Sequence, residues 1–155
     1  MPNRLPLPDG VVLRPAVAAD LVAVRVLLRD AKLPADGVED QFGEPYVVAV
    51  RREGRIVGLA GLEVHGSEGL LRSVVIVPPL RGLGLGEALT HDRLARARAL
   101  KLSAVWLLTT TAAGFFDQLG FARVERTSAP AELQASKEFT TLCPGTAVCM
   151  RLALS

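Results

Sequence analysis

Residues 81–86 alternate glycine with other residues, as Arg81-Gly82-Leu83-Gly84-Leu85-Gly86, and this segment constrains the fold most strongly. A strand-like run that stops at Pro78-Pro79 precedes it, and a helical pattern over residues 87–100 follows it. Glycines in a first helical turn are unfavourable unless something requires them. A helix start offers unpaired N–H groups and the positive end of the helix dipole, and glycine lets a ligand approach that backbone. The segment therefore predicts a strand, a loop and a helix that together bind phosphate.

Two other phosphate-binding loops do not fit this segment. The P-loop ends in Gly-Lys-Ser or Gly-Lys-Thr, and neither follows these glycines. The dinucleotide fingerprint needs its third glycine where Glu87 stands, and an acidic residue there would repel a pyrophosphate. The alternative that stays open is that the three glycines only form a flexible turn.

The composition predicts one folded domain over residues 1–155. Hydrophobic residues make up 50% of the chain, which excludes intrinsic disorder, and a net charge of +2 argues against a nucleic-acid partner. The sequence has neither a run of about 18 apolar residues nor the apolar amino-terminal run of a signal peptide. Two cysteines are too few for a secreted disulfide framework. We therefore expect a cytoplasmic protein with no membrane partner.

Strand-like and helix-like segments alternate along the chain, which favours an α/β layer architecture. The turn at Glu53-Gly54 should join two strands into an antiparallel hairpin, and Gly120 should end a short helix. Helices are expected at residues 18–30, 87–100 and 112–119, and strands at 11–15, 46–52, 56–64, 70–77, 105–108, 121–125 and 147–154.

The segment Val75-x-Val77-Pro78-x-x-Arg81-Gly82-x-Gly84-x-Gly86-x-Ala88-Leu89 resembles the acetyl-CoA-binding motif of the GNAT family of N-acetyltransferases. Its Arg81, Gly84 and Gly86 match the family signature Arg/Gln-x-x-Gly-x-Gly/Ala, and residues 116–121 resemble a second landmark, Tyr-Glu-x-x-Gly-Phe. The order of elements also fits across nearly the whole chain. The resemblance implies an α/β GNAT fold, in which helices flank a central mixed, mostly antiparallel sheet that is splayed at the fourth and fifth strands.

A narrower resemblance lies in residues 71–73, 107–116 and 139–150, which are similar to the acetyltransferases of arsenic-resistance operons. These are related in role to the enzymes that acetylate arsinothricin and phosphinothricin. The resemblance implies acetyl transfer from acetyl-CoA to a small-molecule amine, with an arsenical or phosphinic amino acid as candidate acceptor in a resistance role. It implies a monomer or homodimer that needs no metal. The alternative is a GNAT scaffold that binds acyl-CoA or an arsenical without turnover.

The resemblance also assigns cofactor contacts. Backbone groups of residues 75–77 should pair with the pantetheine arm, the Val77 N–H should stabilise the oxyanion, and the amides of residues 82–87 should hold the pyrophosphate. The alternative for residues 74–77 is a plain core strand. The cofactor-binding residues implied are Val75, Ile76, Val77, Arg81, Gly82, Leu83, Gly84, Leu85, Gly86, Glu87, Thr110 and Phe116.

The sequence departs from the family at the acid that protonates the departing thiolate. The usual tyrosine is replaced by Phe116, and the asparagine often found upstream is absent, with Thr110 and Thr111 nearby. Either the thiolate takes its proton from water or from the ammonium, or another residue serves. The single tyrosine, Tyr46, starts a strand, a position more typical of packing than of catalysis.

Glu63 is the candidate general base. It lies two residues before His65 on one strand, so both side chains share a face. Glu63 could take the ammonium proton directly or through water; the alternative is a solvated or salt-bridged carboxylate at a strand end.

Arg72 and Ser73 are candidate substrate-binding residues. An arginine inside an apolar strand is unfavourable unless an anion pairs with it. Arg72 could hold the carboxylate, arsonate or phosphinate of an acidic substrate, or it could form an internal salt bridge to Glu63 or Glu68.

Cys143 and Cys149 lie six residues apart. Zinc needs more ligands than the nearby sequence offers, and packing of both thiols in the core is favoured. A dithiol site for trivalent arsenic stays open as an alternative.

Overall fold

The computed structural model describes residues 7–8, 10–35, 37–142 and 145–154. The α-helices are α1 (Leu21–Asp30), α2 (Leu85–Ala99), α3 (Ala113–Gln118) and α4 (Ala131–Gln134). The strands are β1 (Val11–Pro15), β2 (Tyr46–Arg51), β3 (Ile56–His65), β4 (Glu68–Ile76), β5 (Ala104–Thr109), β6 (Ala122–Arg123) and β7 (Val148–Ala153).

The strands form one seven-stranded sheet in the order β1-β2-β3-β4-β5-β7-β6. It is mostly antiparallel, but β4 and β5 are parallel, and their register covers only Gly69↔Val105 and Leu70↔Trp106. Because this pairing ends early in both strands, the rest of β4 is not held to β5 by ladder hydrogen bonds in the described residues. The predicted α/β fold with a mixed, mostly antiparallel sheet is confirmed.

The predicted hairpin of β2 and β3 is confirmed, with Tyr46 paired to Gly61. Gly54 has a φ of +90° in the connecting turn, a conformation that suits glycine. Tyr46 is fully buried and its ring lies against Gly61, where a Cβ atom would overlap the ring. Tyr46 is therefore a packing residue, as its position at a strand start indicated.

Several local features differ from the sequence predictions. β4 begins at Glu68 rather than residue 70, because Gly66 and Ser67 alone form the preceding turn. β6 has only two residues, since a 3₁₀ turn starts at Arg126. A π-helical turn, Glu138–Leu142, was not predicted at all.

The chain divides into two compact units. The first contains Met1–Gly61 and Ser73–Ala95, and the second contains Leu62–Arg72 and Arg96–Ser155. The single domain that the composition predicts over residues 1–155 stays a prediction.

The first unit has a core on each face of β2, because successive side chains of a strand point to opposite sides. On one face, residues of α1 pack with alternate residues of β2, and on the other face the start of α2 packs with the intervening ones. The first core includes Val24, Leu28, Tyr46, Val48, Val50, Leu59 and Val75. The second includes Val47, Ala49, Val57, Ala60, Leu85 and Leu89.

The second unit has a core of its own in which Trp106 of β5 packs with residues of the carboxy-terminal region. Its members include Leu70, Ala104, Ala129, Leu133, Phe139 and Cys149. Burial raises the pKa of the Cys149 thiol, as expected of a thiol that packs in a core. Cys143 lies outside the described residues, so the dithiol hypothesis stays a prediction.

One stabilising contact in the first unit gives a testable expectation. Arg14 donates two hydrogen bonds to the Asp20 carboxylate, at 2.8 and 3.0 Å, and the Val17 N–H donates a third at 2.8 Å. The Arg14 guanidinium holds the pKa of Asp20 below its ordinary value. Asp20→Asn should therefore lower the free energy of unfolding at neutral pH by about 1 kcal/mol.

The pH dependence of this effect has a defined sign. A lowered pKa means that the stabilisation is complete above the ordinary aspartate value of about 3.9 and is lost as the pH falls through the folded value. Urea unfolding of wild type and variant should therefore converge under acidic conditions. A difference between them that is independent of pH would show that the Arg14–Asp20 ion pair does not cause it.

Candidate active site

The glycine loop in the first unit has a backbone that is open to a ligand. It joins the 3₁₀ turn Pro78–Leu80 to α2, and both Gly82 and Gly84 have left-handed conformations, with φ values of +81° and +85°. A Cβ atom added at either glycine would meet nothing within 4 Å. The backbone at both positions is therefore open, and a side chain there would intrude on a bound ligand rather than on the fold.

The helix that follows presents its amino terminus at this loop. α2 begins at Leu85, two residues earlier than predicted, and the Gly84 carbonyl accepts the Ala88 N–H at 3.0 Å. Leu85 is buried in the core, which anchors the helix start, while Leu83 is exposed. Leu85 can therefore offer a ligand only its backbone. Unpaired amides and the helix dipole make this end of α2 suited to an anion.

Two charged side chains border the loop. The Arg81 guanidinium is exposed, and its Nε–H donates to the Ile76 carbonyl at 3.1 Å, which ties the loop to the end of β4. The Glu87 carboxylate lies 3.6 Å from the His91 imidazole on the outside of α2. The cofactor contacts assigned to this loop stay predictions.

The backbone at the end of β4 is held to β3. The Val77 N–H donates to the Val57 carbonyl at 2.9 Å, within the first unit. The role of oxyanion donor assigned to Val77 stays a prediction. Val75 is buried in the first core, so its side chain packs as the core-strand alternative holds, and any ligand contact would use its backbone.

Ser73 interrupts the regular backbone of β4. Its φ is +60°, and among the described residues the other non-glycine positions with positive φ are Lys32 and Lys101, which follow helices. A left-handed residue inside a strand is strained and is typical of functional sites. The sequence signal at this position is the polar pair Arg72-Ser73 within an apolar strand, and it predicts substrate contacts but not the left-handed backbone.

A buried ionic cluster lies in the second unit. The Arg72 guanidinium is 3.5 Å from a Glu63 oxygen through Nη1 and 3.3 Å from a Glu138 oxygen through Nη2. The Arg72 side chain is only 2% exposed, and both glutamates are buried. His65 approaches the other Glu63 oxygen, with its Nε2 at 3.6 Å from Oε1.

This cluster bears on the two interpretations of Arg72. The internal salt bridge to Glu63 is confirmed, since the guanidinium lies near two carboxylates. The contact of Arg72 with a substrate anion stays a prediction. Glu68, the other proposed partner, instead accepts a hydrogen bond from Trp106 Nε1 at 3.0 Å. Glu138 was missed, because it comes from the unpredicted π-helical turn.

Phe116 and Thr110 also lie in the second unit. Phe116 is buried between Phe115 and Phe121, with ring centroids 5.0 and 5.6 Å away in edge-to-face geometry. Thr110 is exposed just after β5. Phe116 therefore contributes packing and has no group that donates a proton, while the cofactor contacts of both residues stay predictions.

Two further observations concern possible partners. Within the ranges that the structure describes, no three His, Cys, Asp or Glu side chains are grouped so that they could hold a metal ion. Among the described helices, none combines the length and apolar character that crossing a membrane requires.

Comparison with known proteins places the chain among acetyltransferases. The chain is 37% identical over 81 residues to an amino-acid acetyltransferase of Mycobacterium tuberculosis, covering 52% of this chain and 46% of that protein. It is 34% identical over 142 residues to a mycothiol acetyltransferase of Pseudarthrobacter chlorophenolicus, covering 76% of this chain and 44% of that one. The chain thus spans less than half the length of these curated relatives.

Solved structures share the fold of this chain. Rv2747 from Mycobacterium tuberculosis, solved in complex with CoA and NLQ, superposes with a TM-score of 0.78 at 26% identity, covering 93% of this chain and 99% of that one. N-acetylglutamate synthase from Neisseria gonorrhoeae, complexed with coenzyme A and N-acetyl-glutamate, has a TM-score of 0.81 at 18% identity, covering 96% of this chain and 36% of that one. The sequence model of the acetyltransferase (GNAT) family matches residues 22–121. The chain belongs to the acetyltransferase (GNAT) family.

Proposed function

We propose that this protein transfers the acetyl group of acetyl-CoA to the amine of a small molecule of the amino-acid class. The observation that carries the proposal is the glycine loop, in which Gly82 and Gly84 leave open backbone at the amino terminus of α2. A pyrophosphate on these amides would be held by backbone N–H groups and by the helix dipole. Two similar structures were solved with coenzyme A, which supports the same ligand. A cytoplasmic location, where acetyl-CoA is available, is part of the proposal.

The proposed acceptor is an α-amine. One relative is named an amino-acid acetyltransferase, and one similar structure contains N-acetyl-glutamate. Arsinothricin and phosphinothricin are amino acids that end in an arsenic or phosphorus acid, so they belong to the same acceptor class. Acetylation of such an amine in a resistance role follows from the resemblance of residues 71–73, 107–116 and 139–150 to the arsenic-operon enzymes.

The proposed mechanism is direct attack of the amine on the thioester in a ternary complex. The amine must be neutral to attack, and Glu63 serves as the base that takes the ammonium proton. The contact of Glu63 with Arg72 orients its carboxylate, which is buried and thus held in one position. Because Phe116 cannot donate a proton, the coenzyme A thiolate takes one from water or from the ammonium.

A thiol-release assay with acetyl-CoA tests this function. The acceptor panel contains arsinothricin, phosphinothricin, ordinary amino acids and polyamines. We expect turnover with at least one amino acid and no metal requirement. Binding of coenzyme A without thiol release from any amine would contradict the proposal and support a scaffold that binds without turnover.

The Glu63→Gln variant tests the base. The amide keeps the size of the side chain but accepts no proton, so we expect kcat to fall by about 100-fold with a small change in the KM for acetyl-CoA. Glu53→Gln, in the exposed turn between β2 and β3, is the matched control and should keep wild-type kcat. Full activity of Glu63→Gln at neutral pH would exclude Glu63 as the base.

A further inference from the structure

Arg81 is the only residue of the segment 81–86 whose side chain carries a polar group, since the others are leucine and glycine. Gly82 and Gly84 have left-handed backbones in open space. Glycine has the greatest conformational freedom of all residues, so fixing two of them in one conformation has a large entropic cost. A hydrogen bond that restricts the loop before a ligand arrives would reduce this cost at the moment of binding.

The Arg81 side chain makes a hydrogen bond of this kind. Its Nε–H donates to the carbonyl of Ile76, the last residue of β4, at 3.1 Å. The next residue, Val77, donates its N–H to the Val57 carbonyl of β3 at 2.9 Å, and Val57 is buried in the second core. The sheet therefore holds the Ile76 carbonyl in place, and the Arg81 side chain connects it to the residue at which the glycine loop begins.

The positive charge of Arg81 is the other property that could favour an anionic ligand. Arg81 is exposed, so water and dissolved ions screen its charge. The hydrogen bond to Ile76 needs no charge, because a neutral N–H group at the same place in the side chain can also donate to a carbonyl. The two properties can therefore be separated by substitution.

We propose that Arg81 is a positioning residue for the glycine loop, and this rests on the proposed function. Its Nε–H holds the first residue of the loop against the end of β4, so that the amides of residues 82–86 are preorganised for the pyrophosphate of acetyl-CoA. The side chain acts through the loop backbone, and this role requires no contact between the guanidinium and the ligand.

Glutamine and lysine at position 81 distinguish the hydrogen bond from the charge. The Nε2 atom of glutamine is bonded to Cδ, as the Nε atom of arginine is, so Arg81→Gln keeps an N–H donor at this place and removes the charge. Lysine has a methylene group there, so Arg81→Lys keeps the charge and removes the donor. Both variants should fold, because the side chain is exposed.

The test is calorimetry with coenzyme A at an ionic strength of about 1 M, where the Debye length is about 3 Å and charge effects are small. We expect Arg81→Lys to bind coenzyme A about tenfold more weakly than the wild type, as the loss of one hydrogen bond implies. Arg81→Gln should stay within about twofold of the wild type. Arg29→Lys and Arg29→Gln are the matched controls, since Arg29 is exposed near the end of α1, and both should bind as the wild type does.

Two results would overturn the positioning role of Arg81. Wild-type affinity of Arg81→Lys would mean that the hydrogen bond to Ile76 does not matter for binding. A loss in Arg81→Gln as large as that in Arg81→Lys, or larger, would mean that the charged guanidinium itself contacts the phosphates.

A measurement without ligand separates this role from the proposed function. In ¹⁵N NMR spectra of the wild type, the Nε–H of Arg81 should exchange with water more slowly than the Nε–H of Arg29, because the first is hydrogen-bonded to Ile76. Equal exchange rates would overturn the positioning role and leave the proposed function untouched. A wild-type protein that binds no coenzyme A would overturn the proposed function, and the role of Arg81 with it.

Discussion

Replacing Arg72 by methionine is expected to lower the free energy of unfolding by about 3–5 kcal/mol. The guanidinium lies between the Glu63 and Glu138 carboxylates and is almost completely buried. Methionine keeps much of the volume but removes the positive charge that lies beside these two buried carboxylates. Urea unfolding at neutral pH measures the effect. Arg25→Met is the control, because the Arg25–Glu39 pair is partly exposed and should contribute no more than about 1 kcal/mol.

A second substitution identifies the cause of this loss. Adding Glu138→Gln to Arg72→Met removes one of the two buried negative charges, so the double variant should be more stable than Arg72→Met alone. Wild-type stability of Arg72→Met, together with a selective loss of activity toward acidic amines, would contradict the internal role. It would support the hypothesis that Arg72 holds a substrate anion.

Local sequence patterns predicted most of the fold. The hairpin of β2 and β3 follows from two β-branched runs around Glu53-Gly54, and the presence of α2 after the loop follows from the glycine pattern, although the helix begins two residues earlier than predicted. Such features depend on residues close in sequence, so periodicity and turn chemistry are sufficient to find them. The glycine loop could be predicted as an anion site from the sequence, because anion binding there depends on the backbone of neighbouring residues.

The ionic cluster shows why the rest of the site could not be predicted. Arg72 and Glu63 come from neighbouring strands, so their pairing could be offered as an alternative. Glu138 belongs to a π-helical turn far along the chain, and no local pattern connects it to Arg72. The hydrogen bond from the Val77 N–H to the Val57 carbonyl likewise depends on the position of the end of β4 beside β3. Composition and local pattern do not determine this position. Long-range partners decide which buried groups remain available for chemistry.

Replacing Gly84 by aspartate is expected to weaken coenzyme A binding by about 1,000-fold or more while the fold remains intact. The site of a new Cβ is open, and a carboxylate at the start of a helix is compatible with the helix dipole. The same carboxylate would lie close to a pyrophosphate on the loop. Two unit charges about 4 Å apart near a protein surface repel by about 4 kcal/mol, which corresponds to that loss of affinity.

Calorimetry with coenzyme A measures the effect, and Gly54→Asp provides the matched control. Gly54 has a φ of +90° against +85° at Gly84, and a Cβ atom at either position would meet nothing within 4 Å. Both variants therefore have a similar backbone strain and the same added charge, but Gly54 lies in the turn between β2 and β3, away from the loop in sequence. Gly54→Asp should bind coenzyme A as the wild type does. Equal affinity of Gly84→Asp and wild type would mean that the open glycines are only a turn and that coenzyme A, if bound, is held elsewhere.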